Sequence, residues 1–269
     1  MPRFFVNLPL RYVARDPAYL EICTSQGLHP ELGLDATALD ILETAWHAEI
    51  AARLRDAGLS CSVHLPFMDL QPGAMDPCIL EATRDRLRMA LDVAQIYEPR
   101  HLIGHAWYFH DLHRMFAKAW QDNSADTWEA LHKHWPEHPP LFLENTFEPS
   151  PEPLAGLLET LTGRGLASIR ACLDLGHWHA FALGFRRHNL DAWLDALAPW
   201  LGHLHLHDNN GADDHHLGLG RGTIPWEQLF SGLAQRQLKP TLTLEPHTPE
   251  DMEHSLAFIA DHPEWFPPA

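Results

Sequence analysis

Residues 203–222 read HLHLHDNNGADDHHLGLGRG. Histidine alternates with leucine as far as His207, the period of two that sends successive side chains to opposite faces of a strand. His203, His205 and His207 therefore share one face, spaced about 6–7 Å apart along it. They cannot all hold one ion. Past Asp208 the alternation stops and Asn, Gly and Asp take over, the composition of a loop. The meaning of this strand depends on whether other runs in the chain end the same way.

They do. Short apolar runs recur as FFVNL (4–8), ELGLD (31–35), SCSVHLP (60–66), RHLIGHA (100–106), PLFLENT (140–146), IRACLDLGH (169–177), LGHLHLHDN (201–209) and PTLTLEPH (240–247). Amphipathic stretches separate them, at 16–26, 38–57, 76–97, 111–135, 151–163, 189–199, 225–237 and 249–261. Asp76-Pro77, Ser150-Pro151 and Thr248-Pro249 each set a capping residue before a proline at a helix start. Gly58 and Gly163 suit helix stops. Strands alternating with helices imply parallel pairing, because each helix is a crossover. An eightfold repeat of this length closes most simply as a single (β/α)8 TIM barrel, an α/β domain over residues 1–269. An open doubly wound sheet would want a Gly-rich phosphate loop after an early strand, and none is present.

The formal charge of −17 opposes a grip on duplex nucleic acid, which needs a basic footprint. Arg84, Arg86 and Arg88 cluster at mostly helical spacing and read as a solvated helix face. Cys23, Cys61, Cys78 and Cys172 lie far apart and read as reduced thiols. No run reaches membrane-spanning length and the N-terminus lacks a signal-peptide pattern, so the expectation is a soluble cytoplasmic protein.

In a TIM barrel the C-terminal ends of the strands meet at one mouth. The third strand ends in His64, the fourth in His105, the fifth in Glu144. The sixth ends in Asp174, with His177 three residues on. The seventh carries His205 and the eighth ends in Glu245. Any one of these is an ordinary rim residue. Six consecutive strands doing it together would crowd unpaired acids, and a divalent cation removes that repulsion. Mixed imidazole and carboxylate donors suit Zn²⁺, Mn²⁺ or Fe²⁺ better than Ca²⁺ or Mg²⁺. His205 lies at the depth of Glu144 and Glu245; His203 belongs lower in the barrel; His207 orients a ligand or substrate, or faces water.

The chain resembles the xylose isomerase-like TIM barrel superfamily, which includes endonuclease IV and many sugar isomerases and epimerases. The resemblance is carried by H-x-P at 64–66, L-E-N at 143–145, C-L-D-x-x-H at 172–177, H-L-x-D at 205–208, D-x-H followed by G-x-G, and L-E-P at 244–246. In the superfamily the D-x-H precedes G-x-G by four residues, which favours Asp214 and His216. Asp213 and His215 form the same motif one residue out of register. The resemblance implies three metal sites. His64, His105 and Glu144 would hold one ion. Glu144, Asp174, His205 and Glu245 would hold a second, and His177, Asp214 and His216 a third.

Sugar epimerases of the superfamily need only the second set, with Glu144 and Glu245 as paired acid and base. The five further ligands point instead to hydrolysis of a phosphoester, where two or three ions, Zn²⁺ or Mn²⁺, bind phosphate oxygens and the leaving group. The expected activity is cleavage of a small organic phosphoester rather than duplex DNA. The alternative is a sugar or sugar-phosphate isomerase or epimerase using one ion; a metal-bound binding protein is the third possibility. Substrate contacts are expected from Arg221, which replaces the superfamily's acidic residue between Gly220 and Gly222, and from Trp107, Tyr108 and His207.

Overall fold

A computed structural model describes residues 4–266. Eight parallel strands close a barrel in chain order. They are β1 (Phe5–Pro9), β2 (His29–Gly33), β3 (Ser62–His64), β4 (Leu102–His105), β5 (Leu141–Glu144), β6 (Ile169–Asp174), β7 (Leu201–Leu206) and β8 (Thr241–Leu244). β1 pairs with both β2 and β8, so no edge remains. Helices pack outside. The one over Pro77–Tyr97 buries Leu87, Ala90, Leu91 and Ala94, the 3–4 spacing of one apolar face. Trp120, Trp128, Trp178 and Trp193, all carried on helices, are fully buried, and Trp128 packs on Gly104 of β4. Among the described residues no helix is long and apolar enough to cross a membrane.

Local chemistry explains most boundaries. Asp76 accepts from the amides of Cys78 and Ile79, and Thr248 from that of Asp251, as their positions before proline predict. Ser150 makes no such cap; Pro151 occupies the N-cap position. The second strand lies two residues earlier than expected, because the Asp35 carboxylate accepts from the Ala38 amide and starts a helix there. The stretch 38–57 divides into helices Ala36–Asp40 and Thr44–Asp56. The 16–26 helix is preceded by a separate turn, Leu10–Arg15. The stretch 111–135 divides into His110–His113, a 3₁₀ turn and a helix over Ala117–His134. The three arginines are individually engaged, Arg84 with Thr127, Arg86 with Asp40 and Arg88 with Asp85, so they make no basic rim.

Candidate metal centre

The strand register sets the depth of each donor. His105 stands beside Glu144 and Asp174 beside His205, whereas His64 pairs with Ile103 and Glu144 with Cys172. The steps of two residues are those of tilted strands in a closed barrel, and an even step keeps the side chain facing inward. Six strands thereby deliver their last inward residue to one level. The β7–α loop supplies the rest. Asp208 and Leu217 form an antiparallel bridge through two 2.8 Å backbone bonds, folding residues 209–216 back over the mouth.

The donors fall into three adjoining groups. His64 Nε2 and His105 Nε2 each lie 3.2 Å from Glu144 Oε2. His205 Nδ1 lies 3.4 Å from Glu144, 3.4 Å from Glu245 and 3.7 Å from Asp174. Asp214 Oδ2 lies 3.0 Å from His216 Nε2 and 3.4 Å from His177 Nε2. All nine expected ligands are brought together. Asp213 and His215 are both exposed, and the Asp213 carboxylate only accepts from the Asp214 amide.

Ring orientation tests whether these residues suit an ion. A backbone carbonyl can only accept, so a ring nitrogen bonded to one must carry the proton. His64 Nδ1–H donates to Leu65 O, His177 Nδ1–H to Asn145 O, and His216 Nδ1–H to Glu245 O. In the neutral ring each Nε2 turns its lone pair toward a carboxylate, a repulsion that only a second proton or a metal cation between them removes. His205 Nδ1, His207 Nδ1 and Asp214 Oδ1 are buried with no hydrogen-bond partner at all.

The electrostatics agree. Burial opposes ionisation of Glu144, yet His105 and His205 hold its carboxyl well below the usual range. Burial opposes protonation of His177, but Asp174, Asp214 and Glu144 raise it well above the ordinary imidazole value. His216 is likewise raised, to about 9, by Asp214 and Glu245 against burial. The acids at this mouth call for positive charge, which divalent cations supply as well as protons do. The donor set therefore fits transition-metal ions.

The other expected contacts are more varied. His207 Nε2 lies 3.2 Å from Asp174 Oδ2, and its ring stacks on His216 with centroids 3.8 Å apart. Trp107 sits in the left-handed region at φ 57° and meets Phe147 edge-on. Tyr108 is buried against His113 and Trp120. Arg221 is engaged by Glu250 at 3.0 Å and Asp251 at 3.2 Å, not by the ligand groups.

Several neighbours were not anticipated. Phe67 stacks on the His105 ring at 4.4 Å and Phe181 on His177 at 5.4 Å. His247 extends the His207–His216 stack. Glu148 is buried where the amides of Tyr108 and Thr146 point at its carboxylate, and burial pushes it up to about 7. Glu31 lies beneath the mouth, inside the barrel. Its sequence signal was an acid in an apolar run, but the run's frame was two residues off.

Residues 20–262 match the family described as Xylose isomerase-like TIM barrel. The uncharacterized protein MJ1311 of Methanocaldococcus jannaschii is 24% identical over 75% of this chain and 69% of its own. The TTHB071 protein from Thermus thermophilus, solved after soaking with ZnCl2, is 27% identical, covers 97% of both chains and superimposes with a TM-score of 0.74. A D-psicose 3-epimerase from Clostridium cellulolyticum H10 shares the fold at 15% identity, with a TM-score of 0.74 over 98% of this chain and 99% of its own.

Proposed function

The chain belongs to the xylose isomerase-like TIM barrel family, and from that premise we propose that it is a metal-dependent hydrolase cleaving a phosphoester bond in a small organic molecule. The observation that carries this reading is the gathering of three donor groups around one carboxylate. Glu144 lies within 3.4 Å of ring nitrogens of His64, His105, His177 and His205. Two or three divalent ions, Zn²⁺ or Mn²⁺, would neutralise phosphate oxygens there and activate water.

The residues of the chain do the holding. Glu144 lies between the groups; Asp174, His205 and Glu245 would hold a middle ion, and His177, Asp214 and His216 would hold an ion that neutralises charge on the leaving oxygen. Three exposed phenylalanines stand near this mouth, Phe147 meeting Trp107 and Phe109 edge-on and Phe67 stacked on His105. They seat a flat or bulky apolar portion of the substrate and exclude water. Arg221 must leave Glu250 before it can hold a phosphate. The charge of −17 disfavours a long polyanion.

A second reading is sugar epimerisation at the middle group alone, with Glu144 and Glu245 as acid and base. Both stand 3.4 Å from His205 Nδ1, one ion site apart. Fold relatives with named activities include a D-psicose 3-epimerase and an L-ribulose 3-epimerase, which support this second reading, while the donors beyond the middle group are what favours the first. Elemental analysis and two substrate panels separate them. Two to three ions per chain with turnover of bis(p-nitrophenyl) phosphate supports hydrolysis. One ion with interconversion of ketoses overturns it in favour of epimerisation.

A further inference from the structure

His205 differs from the other anchored imidazoles at the mouth. His64, His177 and His216 rest Nδ1 on backbone carbonyls and turn Nε2 inward. His205 is turned over. Its Nδ1 faces Glu144, Asp174 and Glu245, and its Nε2 points down the barrel to within 3.1 Å of Glu31 Oε1. Both side chains are wholly buried, and neither Nε2 nor Oε1 has a hydrogen bond to any group, so the two atoms face each other as an ion-pair contact. The other oxygen of Glu31 is pinned by two hydroxyls, Ser62 Oγ at 3.0 Å on β3 and Thr243 Oγ1 at 2.8 Å on β8. Thr243 is held in turn by His203 Nε2 at 2.9 Å. Three strands thus fix one carboxylate in a place where its remaining oxygen lies against His205.

The Glu31 carboxylate, held by two hydroxyls and with His101 Nε2 at 3.5 Å and His203 Nε2 at 3.9 Å from Oε2, has only imidazoles near it to supply positive charge. An ion on the far side of the imidazole supplies that charge through the ring. A carboxylate can only accept, so it also selects the tautomer, placing the proton on Nε2 and the lone pair on Nδ1. We propose that Glu31 is the positioning residue of His205, fixing its ring and strengthening Nδ1 as a donor to the middle metal ion. The inference rests on the metal-centre reading above.

The test compares the full chain, stripped of metal and titrated with Zn²⁺ against a competing chelator, with Glu31→Gln and Thr243→Val. Co²⁺ replaces Zn²⁺ for a visible absorption spectrum. Glu31→Gln keeps the volume and can still accept from Ser62 and Thr243, but offers His205 a neutral group. Zn²⁺ binding at one site weakens about 10–100-fold, the usual effect of removing such a partner. The Co²⁺ bands shift, and the metal-free melting temperature stays near that of the wild type. Thr243→Val weakens the same site less. Unchanged Zn²⁺ affinity and Co²⁺ spectrum in Glu31→Gln overturns the proposal. So does equal weakening of every site with a lowered metal-free melting temperature, the mark of a core residue. Should Glu31→Gln fail to fold, an unchanged site in Thr243→Val overturns it. If the wild type itself binds neither ion, the metal-centre reading fails first and the inference falls with it.

Discussion

Gly222 packs so tightly on Asp208 that a Cβ at position 222 would stand 2.2 Å from Asp208 Oδ1. The Asp208 carboxylate is wholly buried and accepts from the amides of Asn209, Gly220 and Ile224 and from the Trp226 indole, at 2.9–3.1 Å. One side chain therefore closes the loop that carries Asp214 and His216.

Asp208→Ala leaves four donors without an acceptor, each worth about 1–3 kcal/mol when buried and unpaired. The expected loss is at least about 3 kcal/mol, a fall in melting temperature of roughly 6–12 °C for a chain of this size. Gly222→Ala destabilises by the same route. Thermal denaturation of metal-free protein checks both; a change under about 2 °C, a small fraction of that estimate, would show that the loop closes without Asp208.

His64→Ala removes one imidazole from the first donor group and leaves the middle group whole. One ion per chain is lost, and phosphoester turnover falls at least about 100-fold, as for loss of an essential electrostatic contact. Elemental analysis with steady-state kinetics reads both. Unchanged phosphoester turnover in this variant, or in His216→Ala, sinks the multinuclear hydrolase; unchanged ketose interconversion in both is the result expected of the epimerase.

A Cβ on Gly176 would lie 1.8 Å from His207 Cε1. Gly176→Ala must push the His207 ring off Asp174 and disturb its stack on His216. The expected outcome is weaker Zn²⁺ binding in the third donor group with the first group unaffected. Isothermal titration with Zn²⁺ distinguishes this from no effect.

His47 lies outside the mouth, buried between Tyr97 and Ala38. Its Nε2–H donates to Ala38 O at 2.9 Å and Nδ1 accepts from the Tyr97 hydroxyl at 2.7 Å. Burial holds its pKa below the ordinary value despite the Ala38 bond. The unfolded chain then takes its proton first as pH falls through about 6.5. Stability from His47 is whole above that pH and drains away below it, toward the lowered folded value. Urea denaturation of metal-free protein at pH 7.5 and 5.5 should show a smaller loss in His47→Gln than in the wild type. An equal loss contradicts the assignment.

The barrel was legible from residues because its signals are local. The runs at 60–66, 140–146 and 201–209 announce strands by apolar content, and Asp76 and Thr248 announce helices by capping. The second strand was misplaced because Asp35 reads equally as a strand end and as a helix cap, and only its bond to Ala38 decides. Glu31 was missed for the same reason. Aromatic neighbours such as Phe67 carry no pattern that ties them to His105.

Sequence alone determined which donors the chain possesses and that strand ends would carry them to one rim, since strand periodicity and chain order set both. Tertiary structure decided which nitrogen of each imidazole faces the rim, that Asp214 and His216 rather than Asp213 and His215 join it, and that a carboxylate stands beneath His205. Except for His64, anchored by the adjacent Leu65 carbonyl, these outcomes depend on distant partners, such as Glu245 for His216, 29 residues away, and Thr243 for Glu31, 212 away, whose proximity exists only after the barrel has closed.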